Sequence, residues 1–164
     1  MAGGGDTDGD GYDDVWVGAF NNDYGGSGAG AAYLIAGGSR GTGALGDAAV
    51  VWGSTAADRV GIALAVGDFD GDGLFDAAIG GDGGSWGDTG VAWILYGPAN
   101  GVQSADDLDH RVLGETRGDG VGLGLWSVSL GGDGYDDLLL GATTRDEAGT
   151  DAGALYRVEG GPGL

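Results

Sequence analysis

The nine residues Asp68 to Asp76 read D-F-D-G-D-G-L-F-D. Four carboxylates at positions 1, 3, 5 and 9 of one short loop repel one another strongly unless a cation lies between them. Gly73 at position 6 permits a sharp turn, and the carbonyl of Leu74 at position 7 offers one more oxygen. Ca²⁺ takes about six to eight such hard oxygen ligands in a flexible geometry. The stretch therefore predicts a calcium loop with these ligands: Asp68, Asp70, Asp72, Leu74 and Asp76.

The same pattern occurs twice more in the chain. Residues 6–14 read D-T-D-G-D-G-Y-D-D and predict a second complete site. Its ligands are Asp6, Asp8, Asp10, the Tyr12 carbonyl and Asp14. Residues 129–137 read S-L-G-G-D-G-Y-D-D, in which Ser129 and Gly131 replace two of the carboxylates. The remaining candidates are Asp133, Tyr135 and Asp137, so this third loop is expected to bind weakly or not at all.

Two other kinds of calcium loop fit the sequence less well. An EF-hand or dockerin loop needs a bidentate Glu at position 12, where this chain has Val17 and Ile79. The calcium repeats of parallel β-helices recur every nine residues, whereas the Asp loops of this chain do not recur with that period. A solvated acidic turn without metal remains the alternative, because Asp and Gly also favour turns.

The spacing of the three loops defines a long internal repeat. The position-6 glycines Gly11, Gly73 and Gly134 lie 62 and 61 residues apart, and other landmarks recur with the same period. A length of 164 residues is typical of a single domain. We therefore treat residues 1–164 as one domain with repeats at about 1–57, 58–118 and 119–164.

Each repeat contains short candidate strands and no long helical pattern. In the middle repeat they cover about residues 60–66, 75–79, 91–96 and 110–113, with one helical turn possible in the polar stretch 100–109. Four antiparallel strands per repeat are typical of a β-propeller blade. The first repeat is expected to lack strand one and the last to lack strand four, which gives ten strands in total. The predicted fold is all-β, a partial β-propeller of about three four-stranded antiparallel blades, the first and last incomplete.

Such a fold would leave blade faces uncovered. Propellers close with about four to eight blades. We therefore expect that the chain is part of a longer protein that supplies the missing blades, or else that it associates with itself.

Composition excludes several classes of partner. Six basic residues, all Arg, stand against 26 Asp plus Glu, for a formal net charge of -20. Nucleic acid and anionic membranes need a basic face, so neither is expected as a partner. The chain has no cysteine, and no apolar run approaches the roughly 20 residues of a membrane-spanning helix. No signal peptide is visible at the N-terminus, so a secretion signal would have to lie outside this chain.

The sequence offers little that is typical of an enzyme. Its one histidine, His110, precedes a predicted outer strand, and the acidic pairs Asp106-Asp107 and Asp136-Asp137 are more typical of solvated or metal-loop residues than of a glycosidase. No enzymatic activity is expected. The tripeptide Arg117-Gly118-Asp119 matches a sequence that some integrins recognise, but in a chain rich in Gly and Asp it is expected by chance.

The tryptophans allow two interpretations. Four lie in predicted strands and are expected between blades: Trp16, Trp52, Trp93 and Trp126. Trp86 lies in a glycine-rich loop, where an indole either packs within the loop or stacks on a sugar or a partner.

The order of motifs in the middle repeat resembles a known family. Val60-Gly61, the Asp loop, Ala77 to Gly81 and Gly90 to Gly97 are similar to the FG-GAP repeat of integrin α-subunit β-propellers and their bacterial relatives. The resemblance covers the whole chain, although Val-Gly stands for Phe-Gly and the Gly-Ala-Pro motif is altered in each repeat. It implies that each repeat is one propeller blade, that Ca²⁺ binds the first two loops, and that these loops face away from the ligand.

The expected function is binding or adhesion outside the cell, with Ca²⁺ as a structural ion. Millimolar extracellular calcium fills even sites of modest affinity, so an extracellular or cell-surface location is expected. The partner would be a protein or a glycan. A carbohydrate-binding propeller attached to a secreted enzyme and a purely architectural segment remain alternatives.

Overall fold

The computed structural model describes residues 1–38, 49–84, 87–108, 110–146 and 149–164. Within these ranges the chain forms twelve β-strands in three sheets, none closed on itself, and a 3₁₀ turn at Ala105–Asp107. The prediction of an all-β fold is confirmed, and the helical turn falls inside the predicted stretch 100–109. No described segment forms a helix with the length and apolarity that crossing a membrane requires.

The first sheet has five strands in the order β1-β2-β3-β4-β8. They are β1 (Ala2–Gly5), β2 (Asp14–Gly18), β3 (Ala31–Ile35), β4 (Val50–Trp52) and β8 (Val102–Ser104). The β8 strand pairs in parallel with β4, although it comes from the second repeat. No sequence pattern predicted this fifth strand.

The strand β1 corrects the expectation that the first repeat lacks strand one. It pairs antiparallel with β2, with Ala2 opposite Trp16. The segment has no apolar alternation because it lies against a bulky neighbour: a Cβ on Gly5 would be 2.1 Å from the Phe75 ring. Packing therefore requires glycine at this point, and glycine removes the pattern by which strands are recognised. The predicted total of ten strands is therefore also wrong, because β1 and β8 bring the described total to twelve.

The second sheet matches its prediction closely. It contains β5 (Leu64–Gly67), β6 (Asp76–Gly81), β7 (Val91–Leu95) and β9 (His110–Leu113), all antiparallel in that order. The Asp68–Asp76 loop joins β5 to β6 as a hairpin, as predicted.

The third sheet consists of β10 (Val121–Val128), β11 (Asp137–Ala142) and β12 (Ala154–Val158). These are the three strands predicted for the last repeat, and the part of the chain that the structure describes adds no fourth strand to them. The third loop joins β10 to β11 in the same way as the other two loops join their strands.

Two apolar cores lie between the three sheets. The first core joins the first and second sheets and contains Trp16, Leu34, Ile79 and Trp93 among its buried residues. The second core joins the second and third sheets and contains Ala78, Ile94, Leu138 and Leu140. Successive residues of β6 enter different cores, since Ala77 and Ile79 belong to the first and Ala78 to the second. This is the period-2 alternation of a strand buried on both faces.

Glycine brings neighbouring sheets into close contact at equivalent points. A Cβ on Gly18 would lie 1.9 Å from the carbonyl oxygen of Gly61, and a Cβ on Gly80 would lie 2.0 Å from that of Gly122. Each pair joins the end of a second strand to the Val-Gly segment of the next repeat. Glycines that recur one repeat apart therefore lie at both junctions between sheets.

The tryptophans only partly follow their prediction. Trp16 and Trp93 are fully buried, and Trp52 is half-buried with its ring edge-on to Tyr24. Trp126 is 56% exposed, so its assignment to the core is wrong. Its register position, opposite Leu139, corresponds to that of Ala65 opposite Ala78. Ala65 faces the next sheet, whereas no described sheet packs on the corresponding face around Trp126. Trp86 lies outside the described residues.

Candidate metal centres

The first two Asp loops share a set of internal hydrogen bonds. At position 1, the carboxylate of Asp6 accepts from the backbone N–H groups of Gly9 at 2.7 Å and Gly11 at 2.8 Å. Asp68 accepts in the same way from Gly71 at 2.8 Å and Gly73 at 3.2 Å. The carboxylate at position 1 therefore stabilises the turn that follows it by accepting from the N–H groups at positions 4 and 6.

Positions 3 and 5 continue this turn. In the first loop, Asp8 accepts from the N–H of Asp10 at 3.0 Å, and Asp10 accepts from that of Tyr12 at 2.9 Å. The second loop repeats both bonds, from Asp72 to Asp70 at 3.1 Å and from Leu74 to Asp72 at 2.8 Å. These are successive Asx turns, which curl the backbone and direct alternate side chains inward.

The glycine at position 6 has the backbone conformation that its predicted role requires. Gly11 has a φ of 91° and Gly73 a φ of 92°, both in the left-handed region. An L-residue is strained there, whereas glycine is not.

The turns bring three carboxylates together in each loop. In the first loop these belong to Asp6, Asp8 and Asp10, and in the second to Asp68, Asp70 and Asp76. In each group the ligand atoms all lie within 4.8 Å of one another. Two predicted ligands, Asp14 and Asp72, are not members of these groups. Tyr12 and Leu74 follow the position-6 glycine, and their carbonyls complete the predicted ligand sets. Their N–H groups donate to the carboxylates of Asp10 and Asp72.

This separation fits a single calcium ion. Oxygen ligands lie about 2.3–2.6 Å from Ca²⁺, so two oxygens on one ion are at most about 5 Å apart. The converging side chains are all carboxylates, the hard donors that Ca²⁺ or Mg²⁺ prefers. The residues therefore fit a hard divalent cation.

The aspartate at position 9 has a structural role that the sequence did not indicate. Asp76 is fully buried, and its two oxygens accept from the N–H groups of Phe69 at 2.8 Å and Gly97 at 2.9 Å. Asp14 makes the equivalent bonds with Thr7 and Gly37, both at 2.8 Å. This carboxylate ties the start of the loop to the end of the third strand.

Two of the candidate ligands, Asp76 and Asp8, lie in surroundings that disfavour the charged form of the carboxylate. Burial raises the pKa of Asp76 to about 6, with the negative charge of Asp70 adding to the effect against hydrogen bonds that oppose it. Burial also raises the pKa of Asp8, with contributions from the neighbouring carboxylates of Asp14, Asp10 and Asp6. A cation at either loop would counteract this effect because it favours the charged form of each group.

The third loop is built differently. Asp137 is buried like its counterparts and accepts from the N–H groups of Leu130 at 3.1 Å and Gly160 at 3.1 Å. It also receives the Arg157 guanidinium, whose Nη2 lies 3.0 Å from its Oδ2. Burial alone would raise the pKa of Asp137, but the bonds from Gly160, Arg157 and Leu130 lower it below its usual value. Among the described residues, the third loop forms no group of three converging carboxylates.

Each of the first two loops is fastened to the following repeat. The carbonyl of Asp6 accepts from the N–H of Phe75 at 2.9 Å, and that of Asp68 accepts from Asp136 at 2.9 Å. The two intact loops thus lie at equivalent junctions between repeats.

Other residues singled out in the sequence have local contacts. His110 is half-buried, with its ring edge-on to Tyr96 at 5.1 Å. The Arg117-Gly118-Asp119 tripeptide is not displayed as a unit, because Asp119 is buried and bonded to Arg145 while Arg117 pairs with Asp88 at 2.8 Å.

A cleft of about 320 Å³ lies at the opposite end of the sheets from the Asp loops. Most of its lining comes from segments that connect strands, among them Ala57, Asp82, Asp88, Gly118, Gly120 and Thr144. Leu123 of β10 also lines it. The structure therefore separates the acidic loops from this concave surface.

Comparison of the chain with known protein families and with curated proteins finds no match. The assignment of the candidate metal centres therefore rests on the geometry of the two loops.

Proposed function

We propose that this chain is a segment of a calcium-stabilised, extracellular β-propeller of the FG-GAP type that serves adhesion or protein binding. The observation that carries the proposal is the pair of carboxylate groups, Asp6/Asp8/Asp10 and Asp68/Asp70/Asp76, in equivalent hairpin loops. The two groups share the carboxylates at positions 1 and 3 and differ in the third member, which is Asp10 at position 5 in one and Asp76 at position 9 in the other. Convergence of three carboxylates in equivalent loops of two successive sheets favours a shared ligand over two unrelated solvated turns.

Calcium in these loops is structural. A loop that surrounds its ion with protein oxygens leaves little coordination space for a substrate. Each loop also joins two strands and bonds to the next repeat through the carbonyl of Asp6 or Asp68. An ion that orders the loop therefore stabilises both the hairpin and the junction.

The propeller assignment is supported by the stacking of the sheets. Two apolar cores separate three sheets in chain order. The same glycine contacts recur at both junctions, between Gly18 and Gly61 and between Gly80 and Gly122. Repeated contacts of this kind are what radial repetition of blades requires.

The partner surface is assigned to the end of the sheets away from the calcium loops. The cleft at that end is lined by glycine-rich backbone, which permits close approach, and by Asp82 and Asp88, whose carboxylates pair with Arg59 and Arg117. The carbohydrate alternative depends on Trp86, which lies outside the described residues.

Calcium titration by calorimetry, with the melting temperature followed in parallel, tests the proposal. We expect two Ca²⁺ per chain and a rise in melting temperature. Ligand that binds only the folded state stabilises it by about 2.7 kcal/mol at a hundredfold excess over Kd. A folded chain that binds no Ca²⁺ would overturn the calcium assignment. Binding of candidate extracellular proteins to the immobilised chain, in calcium and in chelator, tests the adhesive role.

A further inference from the structure

Arg157 occupies a position that is aliphatic in the other two sheets. It lies in β12 opposite Leu139, as Ile94 lies opposite Ala78 and Leu34 opposite Trp16. Ile94 and Leu34 are buried between sheets, at 3% and 2% exposure. The charged side chain at this register position is therefore specific to the third repeat.

The guanidinium of Arg157 reaches the third loop. Its Nη2 lies 3.0 Å from Asp137 Oδ2 and donates to the carbonyl of Leu130 at 3.3 Å. These are positions 9 and 2 of the loop. A Cβ built on Gly131, at position 3, would lie 3.9 Å from the same nitrogen and 3.6 Å from the Asp133 carboxylate. The positive charge thus lies beside the point where the intact loops carry Asp8 and Asp70.

The third loop has fewer negative charges than the first two, which agrees with the position of the Arg157 guanidinium beside it. At the ligand positions the first two loops have four carboxylates each, which suits a divalent ion, whereas the third retains only Asp133 and Asp137 there. A single guanidinium offsets much of this smaller charge, and its fixed donors match a carboxylate and a carbonyl. Gly131 also has a φ of 104°, so an aspartate at this position would be strained.

We propose that Arg157 is a built-in replacement for the metal ion of the third loop. The guanidinium stabilises this hairpin without calcium and excludes a cation from it. The proposal rests on the assignment of Ca²⁺ to the first two loops. The chain would then have two repeats whose loops depend on metal and a third whose loop does not.

Hydrogen exchange of the unaltered protein in calcium and in EGTA gives the first test. We expect amides of the first two loops to gain protection on addition of Ca²⁺, and those of residues 130–137 to be equally protected in both conditions. A gain of protection in the third loop that matches the other two would overturn the proposal. If no loop responded to Ca²⁺, the calcium assignment itself would fail, which is a distinct result.

Substitution of Arg157 gives the second test. Arg157→Leu, which introduces the residue found at Leu34, should lower the melting temperature by the same amount in EGTA and in calcium. Arg157→Lys keeps the charge and should recover part of the loss. Arg117→Leu is the matched control, because it removes a positive charge from an 81% exposed side chain and should cause little change. An unchanged melting temperature for Arg157→Leu in EGTA, or a third Ca²⁺ bound by the unaltered protein, would overturn the proposal.

Discussion

The backbone N–H of Phe75 donates a 2.9 Å hydrogen bond to the carbonyl oxygen of Asp6. Asp6 is the first ligand candidate of the first loop, and Phe75 immediately precedes Asp76 in the second. Asp136 and Asp68 make the same bond at the next junction. We therefore expect order in one loop to favour order in the loop before it, so that calcium binding at the two intact loops is coupled.

Replacement of Asp70 by Ala tests both the second site and this coupling. Loss of a converging carboxylate should abolish calcium binding at the second loop and weaken it at the first, because Phe75 is less well held. The melting temperature should fall in calcium, with a loss of about 2.7 kcal/mol where Ca²⁺ exceeds Kd a hundredfold. In EGTA the change should be small. Calorimetry and thermal unfolding measure the two effects.

Asp13→Ala is the control for this experiment. Asp13 is an exposed carboxylate at position 8 of the first loop and belongs to neither group of converging side chains. Its removal changes the net charge equally and should leave two calcium sites. A fall in melting temperature for Asp70→Ala that is as large in EGTA as in calcium would contradict the metal role.

Replacement of Gly80 by Ala tests the close contact between sheets. The new Cβ would lie 2.0 Å from the Gly122 carbonyl oxygen, so the second and third sheets must move apart. Overpacking of this kind costs about 1–3 kcal/mol, measurable by urea unfolding. Gly161→Ala is the control, since a Cβ there meets nothing within 4 Å. Similar unfolding midpoints for the two variants would show that the junction tolerates displacement.

Much of the second sheet could be predicted because its residues follow simple patterns. Ala77, Ala78 and Ile79 are all apolar because β6 is buried on both faces, and the predicted strand at 75–79 overlaps the observed Asp76–Gly81. The Asp loop could be recognised because carboxylate spacing depends only on local sequence. Repetition then extended the assignment to the first loop.

The features that were missed depend on contacts between distant residues. The Ala2–Gly5 strand lacks apolar alternation because Gly5 must lie against Phe75. The pairing of Asp137 with Arg157 joins residues 20 apart in sequence, and no local pattern reports it. The exposure of Trp126 depends on which sheet covers its face, which strand propensity does not encode.

Two tryptophans that both lie in strands, Trp93 and Trp126, should differ in their contribution to stability. Trp93 is fully buried in the first core, so Trp93→Ala should cost about 3–5 kcal/mol. Trp126 is 56% exposed, and Trp126→Ala should cost much less. Urea unfolding of both variants measures the difference. Equal losses would indicate that Trp126 is covered in solution, for example by another copy of the chain.

The buried Asp119 should give the protein a specific dependence on acid pH. A hydrogen bond from the Thr116 hydroxyl, with others from the Thr116 N–H and Arg145, lowers the pKa of Asp119 to about 2. In the unfolded chain an aspartate titrates near pH 3.9, at about its usual pKa. Because the folded-state pKa is the lower one, the stabilisation is fully present above the unfolded value. It is lost as the pH falls from about 4 to about 2.

Asp119→Asn isolates this contribution from those of the other carboxylates. The difference in unfolding free energy between the unaltered protein and this variant, measured in EGTA, should be constant above about pH 5 and should shrink as the pH falls toward 2. Asp107→Asn, at an exposed site in the 3₁₀ turn, is the control and should give a small difference at every pH. A difference for Asp119→Asn that did not change between pH 5 and pH 2 would show that the charge of Asp119 does not stabilise the fold, and that its hydrogen bonds from Thr116 suffice without it.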